Sequence, residues 1–309
     1  MCFRFLTFTG NPRWEVIQNA LRNGENYADR PDITVRAFAA YLSELMDDIT
    51  ERQILGPVAA YFYSIEHQKR GMPHIHMVII NELQEDSNTP FFVNDYISAE
   101  IPDKPDDDDQ SEIAQQQRRL YEIITLLFLH DCSDTSSCRV DGKCTKRFPK
   151  KHSQTTVLNT DNYTDYRRRP PPPDGIKKSE LSKTAQQSYG NIFEKKTRSG
   201  VIVPMDNSRV VSYNPFLALK YNCHHNLEFI GLQKCEDYTF KYVLKGNDMA
   251  YVEVKRDGQT VQDFDEIAHH YKVRYLSSSE AMARLLSMPI YEMSHVVHVA
   301  YISLPGKIY

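Results

Sequence analysis

No apolar run in these 309 residues approaches the roughly 18 consecutive residues of a membrane-spanning helix, so no membrane partner is expected. The opening stretch, Met1-Cys2-Phe3-Arg4-Phe5-Leu6-Thr7-Phe8-Thr9, alternates as a strand does and lacks the layout of a secretory leader. Cysteine is sparse: six in the whole chain do not make a disulfide-stapled secreted scaffold, and they point to a soluble protein of a reducing, intracellular compartment. Excess positive charge is also missing. With 37 Lys and Arg against 41 Asp and Glu the formal charge is -4, so only the distribution of charge can speak for a nucleic-acid partner. Internal repeats are absent. What is present is a composition of 41% hydrophobic and 25% charged residues, typical of a globular protein with a substantial core.

Charge is segregated along the chain. Residues 103–109 hold five aspartates and read as a solvated acidic loop. The balance then inverts: Arg139, Lys143, Lys146, Arg147, Lys150 and Lys151 face one acid, Asp141. Arg167, Arg168 and Arg169 precede four prolines, Pro170 to Pro173, a stiff extended linker. These basic residues are expected to track a phosphate backbone. The competing reading is an irregular loop kept soluble by its lysines.

The periodicities give a mixed α and β chain. Strands are expected at residues 3–9, 57–66, 74–80, 201–204, 209–213, 226–230, 251–254 and 296–302, with a polar turn from His67 to Pro73. Helices are expected at 15–22, from about 37 to 54, and at 113–129, 215–221, 238–245, 263–271 and 279–286. Residues 101–200 are the least regular and read as a basic, Cys-containing insertion within one domain spanning 1–309.

The most informative window is Gly71-Met72-Pro73-His74-Ile75-His76-Met77-Val78-Ile79-Ile80. On a strand, positions i and i+2 share a face, so His74 and His76 project together and make half a metal site. The alternative is one buried and one exposed histidine at a strand end. Glu66 ends the preceding strand, and a hairpin brings it beside the histidines as a third ligand. Two imidazoles and one oxygen donor leave coordination positions open, which suits Mg²⁺ or Mn²⁺ acting on a phosphoryl oxygen. A histidine-triad hydrolase fits poorly, because Val78 stands where the third alternating histidine would be.

Further on, Tyr238 and Tyr242 are four apart and would stack on one helix face. Tyrosine is a competent covalent nucleophile once activated, and cationic Lys241 and Lys245 would favour the phenolate. With 19 tyrosines in the chain, a half-buried core pair is the alternative. Cys132, Cys138 and Cys144, with His130 or His152 as a fourth donor, can form a closed zinc site, although their spacings are wider than those of common zinc fingers. Otherwise they are free thiols.

These residues carry a family resemblance. Phe5-Leu6-Thr7-Phe8-Thr9-Gly10-Asn11-Pro12-Arg13-Trp14, Arg30-Pro31-Asp32, Glu66 through His76, Ile101-Pro102-Asp103, residues 138–149, Val211-Ser212-Tyr213-Asn214-Pro215, His225-Asn226-Leu227-Glu228, Lys241 through Gly246 and Arg274 through Ala281 resemble, in collinear order, the N-terminal nuclease region of Helitron transposases. That region belongs to the rolling-circle, or HUH, endonucleases. The resemblance implies an α+β fold, a central antiparallel sheet with flanking helices. It implies that His74, His76 and Glu66 hold a divalent metal and that Tyr238 or Tyr242 attacks single-stranded DNA. The product is a 5′-phosphotyrosine and a free 3′-hydroxyl, with the second tyrosine available for strand transfer. It further implies action in the nucleus of a eukaryotic source. Helitron proteins usually continue into a helicase, and no Gly-x4-Gly-Lys-Ser/Thr occurs here. A helicase supplied by another chain, a fragment, or a DNA-binding relic without chemistry are therefore alternatives to an intact nuclease.

Overall fold

Along Cys2–Thr9, Arg4, Leu6 and Phe8 alternate with Phe3, Phe5, Thr7 and Thr9, and this period of two fixes the face each side chain takes. The structure is a computed structural model describing residues 2–67, 71–82, 89–132, 136, 138–159, 163–173, 176–196, 200–230 and 276–295. In chain order these form β1 (Cys2–Thr9), α1 (Glu15–Gln18), α2 (Pro31–Thr50), β2 (Val58–His67), β3 (Pro73–Asn81), α3 (Pro90–Tyr96) and α4 (Glu112–Leu127). They continue with β4 (Arg139–Val140), β5 (Lys143–Cys144), α5 (Lys183–Gln186), β6 (Phe193–Lys196), β7 (Ile202–Met205), α6 (Pro215–Tyr221), β8 (His225–Ile230), α7 (Ser278–Leu285) and β9 (Tyr291–Met293).

Five strands make an antiparallel sheet in the order β8-β1-β3-β2-β9. One face carries Leu6, Phe8, Tyr63, Ile75, Met77, Ile79, Leu227 and Phe229, all buried in one core. Phe38, Leu42, Leu45 and Ile49 of α2 share that core. Their spacing of three to four residues is what puts them on one side of the helix. Pro31 opens α2 at a position where its missing N–H costs nothing, and Asp32 sits in the first turn. Trp14 completes the layer. Its ring stacks on Tyr41 at 4.0 Å, and its Nε1–H donates to the Tyr221 carbonyl at 2.7 Å.

A second apolar cluster joins Ile101, Ile123, Ile124, Phe128, Val210, Tyr213 and Ala218, packing α4 against α6. The 101–200 segment is therefore anchored to the rest of the chain by a core. At one end of the sheet the Arg4 guanidinium is buried. It donates to the Leu55 carbonyl and to Asn81 Oδ1, and lies over the Tyr96 ring at 4.6 Å.

The expected α+β class with an antiparallel sheet is the observed one. Details differ. The helix expected at 15–22 stops at Gln18, and Gly24 turns the chain with φ +86°. The strand expected at 209–213 is a 3-10 turn at Asn207–Arg209 followed by isolated bridges, Leu129 to Val210 and Ser98 to Tyr213. The elements expected at 238–245, 251–254, 263–271 and 296–302 lie outside the described residues. Among the described residues no helix is long and apolar enough to cross a membrane.

The arginine triplet requires a correction. Arg168 does not line a DNA track: it is buried, and its Nη1 donates to the carbonyls of Ala99, Asn207 and Val210 at 3.2, 2.8 and 2.5 Å. Alternation decides this, because Arg168 points inward between its neighbours and cross-bridges to Ser153. Arg169 forms a bidentate pair with buried Glu100, through Nε at 2.8 Å and Nη2 at 2.6 Å. Arg167 is exposed, with Nε 3.3 Å from the same carboxylate.

Arg168→Ala removes the donor that three buried carbonyls share and should cost about 2–4 kcal/mol, read as a lowered denaturant midpoint. Arg167→Ala should stay within about 1 kcal/mol of the parent. Equal losses would contradict the clamp.

Candidate functional site

The opposite face of the sheet is polar at one end. Strand register places Glu66 opposite His74, and His74 opposite Thr9. The next row runs Ser64, His76, Thr7, Asn226 across β2, β3, β1 and β8. Because directly paired residues point the same way, these side chains share one surface while Ile75 and Met77 fill the core behind them. Phe3, Phe5, Val78, Ile80 and Ile230 form a small apolar cluster at the far end of that surface.

The distances are short. The His74 and His76 ring centroids lie 4.6 Å apart. Glu66 Oε2 is 3.3 Å from His76 Nε2, and His74 Nδ1 is 2.6 Å from Thr9 Oγ1. Phe5 stacks on the His76 ring at 5.8 Å. Burial first, and then the neighbouring His76, push the His74 pKa down to about 3, so its imidazole is neutral at physiological pH. A neutral imidazole is what a metal requires, and the Thr9 contact orients the ring as outer partners of metal-bound histidines do. Two imidazoles and a half-exposed carboxylate thus share one surface, Glu66 beside His76 and His74 beside Thr9. Imidazole and carboxylate are donor types that a divalent ion takes.

A second cluster stands beside this face. Donor atoms of His130, Cys132, Cys138 and Cys144 all lie within 4.8 Å of one another, a group that could bind a metal such as zinc. Cys144 Sγ is 3.3 Å from His130 Nε2, and the sulfurs of Cys132 and Cys138 are 3.4 Å apart. His130 is fixed by stacking on Phe148 at 4.4 Å and by its backbone bond to the Arg209 carbonyl at 2.8 Å. Burial lowers its pKa, leaving the ring neutral. Desolvation and then the adjacent sulfurs push the Cys132 thiol up to about 11, a crowding that a bound cation would relieve. Against the upward pull of burial, backbone N–H groups of Phe148 and Lys146 hold Cys144 below its ordinary value. The alternative fourth donor, His152, is engaged elsewhere, 3.1 Å from Asp206 Oδ2.

A tight hairpin carries two of these cysteines. Asp141 and Gly142 between β4 and β5 both have positive φ, 49° and 74°, the Asp-Gly turn that suits two short strands. Arg139, Lys143, Lys146, Arg147 and Lys151 are exposed around it. Lys150 is half-buried, its ammonium 5.0 Å from the Phe148 ring centre. The Lys146 charge acts on both His74 and His130, so the Cys-bearing loop stands near the histidine face. Tyr238, Lys241, Tyr242 and Lys245 lie outside the described residues.

Residues 3–79 match the family model described as the Helitron helicase-like domain at the N-terminus. The match is consistent with the N-terminal region of a Helitron transposase. It covers β1 through nearly all of β3, and so includes Thr7, Thr9, Glu66, His74 and His76. No curated protein matches the chain.

Thr7 and Thr9 carry no signal of this face in the sequence, whereas His224 and His225 stand out there with Cys223 and Cys235 as a weak second metal group. Thr9 and Thr7 looked like ordinary strand residues; only the β1–β3 register reveals them between the histidines and β8. His224 and His225 are adjacent in sequence yet take opposite faces. His225 is buried, its Nε2 accepting from the Asn214 N–H at 3.0 Å, whereas His224 lies on the side of His74.

The Cys/His cluster should retain about one zinc per chain after purification, measured by elemental analysis. His130→Ala and Cys144→Ser should lose it and His152→Ala keep it. Zinc kept in the first two and lost in the third would contradict the ligand set.

Proposed function

We propose that this chain is a metal-dependent single-strand DNA endonuclease and strand transferase of a Helitron-like rolling-circle transposon. The match over residues 3–79 supports a transposase-related role. The observation that carries the finer reading is that Glu66, His74 and His76 share one sheet face, with Glu66 beside His76. A divalent ion held there, Mg²⁺ or Mn²⁺, supplies Lewis-acid polarisation of a non-bridging phosphate oxygen.

In the reaction, the hydroxyl of Tyr238 or Tyr242 attacks phosphorus. A bond from the tyrosine oxygen to phosphorus forms, and the bond from phosphorus to the 3′ oxygen breaks. The phenolic proton leaves, and the departing 3′ oxygen takes up a proton. Lys241 and Lys245 favour the phenolate by their charge, and the second tyrosine serves the return transfer. His74 is neutral and hydrogen-bonded to Thr9, so this imidazole needs no proton loss to act as a ligand at physiological pH.

Zinc in the Cys₃His cluster would staple the loop that bears Lys143, Lys146 and Arg147, giving an otherwise irregular segment a fixed cationic surface for single-stranded DNA. Arg139, Lys150, Lys151 and Arg167 are the further basic residues of that surface. Strand separation would come from a helicase acting with the nuclease, and the nucleus would be the site of action in a eukaryotic host.

Incubation with a broad pool of single-stranded oligonucleotides and Mg²⁺ or Mn²⁺ should give a covalent protein–DNA adduct on a denaturing gel. The adduct should vanish in His74→Ala and in the Tyr238→Phe, Tyr242→Phe double variant. If folded parent protein gives no adduct with either metal, the chain is a DNA-binding relic rather than a nuclease.

A further inference from the structure

Cys132 and Cys138 are six positions apart in the chain, and their sulfurs lie 3.4 Å from each other. Contacts among protein atoms hold them there. The Arg139 guanidinium bridges the carbonyls of Cys132 and Gly142, at 3.2 Å each, and so ties the segment before the β4–β5 hairpin to its tip. The Cys138 carbonyl accepts from both the N–H and the hydroxyl of Thr145, at 2.7 and 3.0 Å. Cys144 is held differently. Backbone N–H groups of Phe148 and Lys146 donate to its sulfur, which lies 3.3 Å from His130 Nε2. One cysteine thus belongs to the turn that follows β5, and the other two stand as a pair.

Two sulfurs at this distance need only side-chain rotation to reach the S–S bond length of about 2 Å. Cys132, Cys138 and Cys144 are all half-buried, so a small solute reaches them, whereas Cys223 is fully buried. The thiolate is the reactive form of cysteine, and zinc keeps its sulfur ligands as thiolates. Exposure and thiolate character together decide which cysteines a peroxide oxidises.

We infer that Cys132 and Cys138 are a peroxide-sensitive modification site, whose oxidation to a disulfide expels zinc and loosens the basic loop. This rests on the proposed zinc cluster and its DNA surface. One thiolate attacks hydrogen peroxide and becomes a sulfenic acid, while the O–O bond breaks and the other oxygen leaves as water after taking a proton. The second thiolate then attacks that sulfur. The S–S bond forms, and the sulfenic oxygen leaves as a second water with another proton from solvent. The two sulfurs supply the two electrons that reduce the peroxide. Two of the four ligands are then lost, and His130 and Cys144 alone do not hold the ion. Lys143, Lys146 and Arg147 flank Cys144 and lose their fixed placement with it. Ordering them again on a polyanion costs affinity, about tenfold for three side chains. A dithiol reductant reverses the oxidation by exchange.

In the test, the zinc-loaded full-length chain is treated with hydrogen peroxide, and catalase removes the excess. Zinc release is read with a chromogenic chelator, the thiols by a peptide map after alkylation, and DNA binding by anisotropy of a labelled single-stranded oligonucleotide. The expected result is about one zinc released per chain and a disulfide joining Cys132 to Cys138, with Cys144 and Cys223 alkylated. Oligonucleotide binding should weaken about tenfold and return with dithiothreitol and zinc. Cys144→Ser, which should lack zinc from the outset, should form the same disulfide. A disulfide that includes Cys144, or zinc and all three thiols unchanged by millimolar peroxide, overturns the inference. Undiminished DNA binding once the disulfide has formed overturns the loosening of the basic loop, as does a reduced chain that binds no oligonucleotide. A chain that never carries zinc overturns the zinc cluster, and its peptide map still decides the thiol pair. If Cys144→Ser fails to fold, the map of the parent chain decides.

Discussion

Everything at the candidate site depends on the register of three antiparallel strands. In that register Glu66, His74 and Thr9 stand in one row and Ser64, His76 and Thr7 in the next. A slip of one residue would turn both histidines into the core and bring Ile75 and Met77 to the surface. Burial of Ile75, Met77 and Ile79 against Phe38, Leu45 and Ile49 is what forbids the slip. Each such side chain contributes on the order of 1.5–3 kcal/mol by leaving water. The same apolar positions that hold the sheet together therefore aim its polar ones.

Charge is organised by a similar division of labour. The chain is net acidic, yet its cationic residues are not interchangeable. Arg168 and Arg4 are buried and donate to backbone carbonyls, Arg169 is locked to Glu100, and Lys220 bridges Glu44 and Asp48. These hold segments together. Lys143, Lys146 and Arg147, on the Cys-bearing loop, are exposed and available to a polyanion. A short run of contacts joins that loop to the sheet: Cys144 touches His130, His224 packs on Phe128, and Thr9 meets both His224 and His74. The match of residues 3–79 to the Helitron helicase-like domain covers only the sheet end of this arrangement.

Much of this was legible in the sequence because it follows from periodicity. The strand through His74 and His76, the hairpin that returns Glu66 to them, and the amphipathic α2 and α4 are written in spacings of two and of three to four residues. The Cys/His group was legible as chemistry but not as geometry. Five residues between successive cysteines fit no familiar finger, and the choice of His130 over His152 required the His152 to Asp206 contact. The arginine triplet misled because three adjacent like charges suggest exposure, whereas alternation on an extended chain buries the middle one. The place of Thr9 and His224 beside the β3 histidines was illegible, since it depends on which strand sits next to which, and β8 is more than 200 residues from β1. Tyr238 and Tyr242 remain readings of the sequence, lying outside the described residues.

The most direct test of the central claim is pulsed electron paramagnetic resonance of the full-length chain loaded with one equivalent of Mn²⁺. The account predicts nitrogen couplings from two imidazoles, with one lost in His74→Ala and one in His76→Ala while both variants stay folded. Bound Mn²⁺ with no nitrogen coupling, or couplings that survive both substitutions, would contradict a metal site built on the β3 histidines.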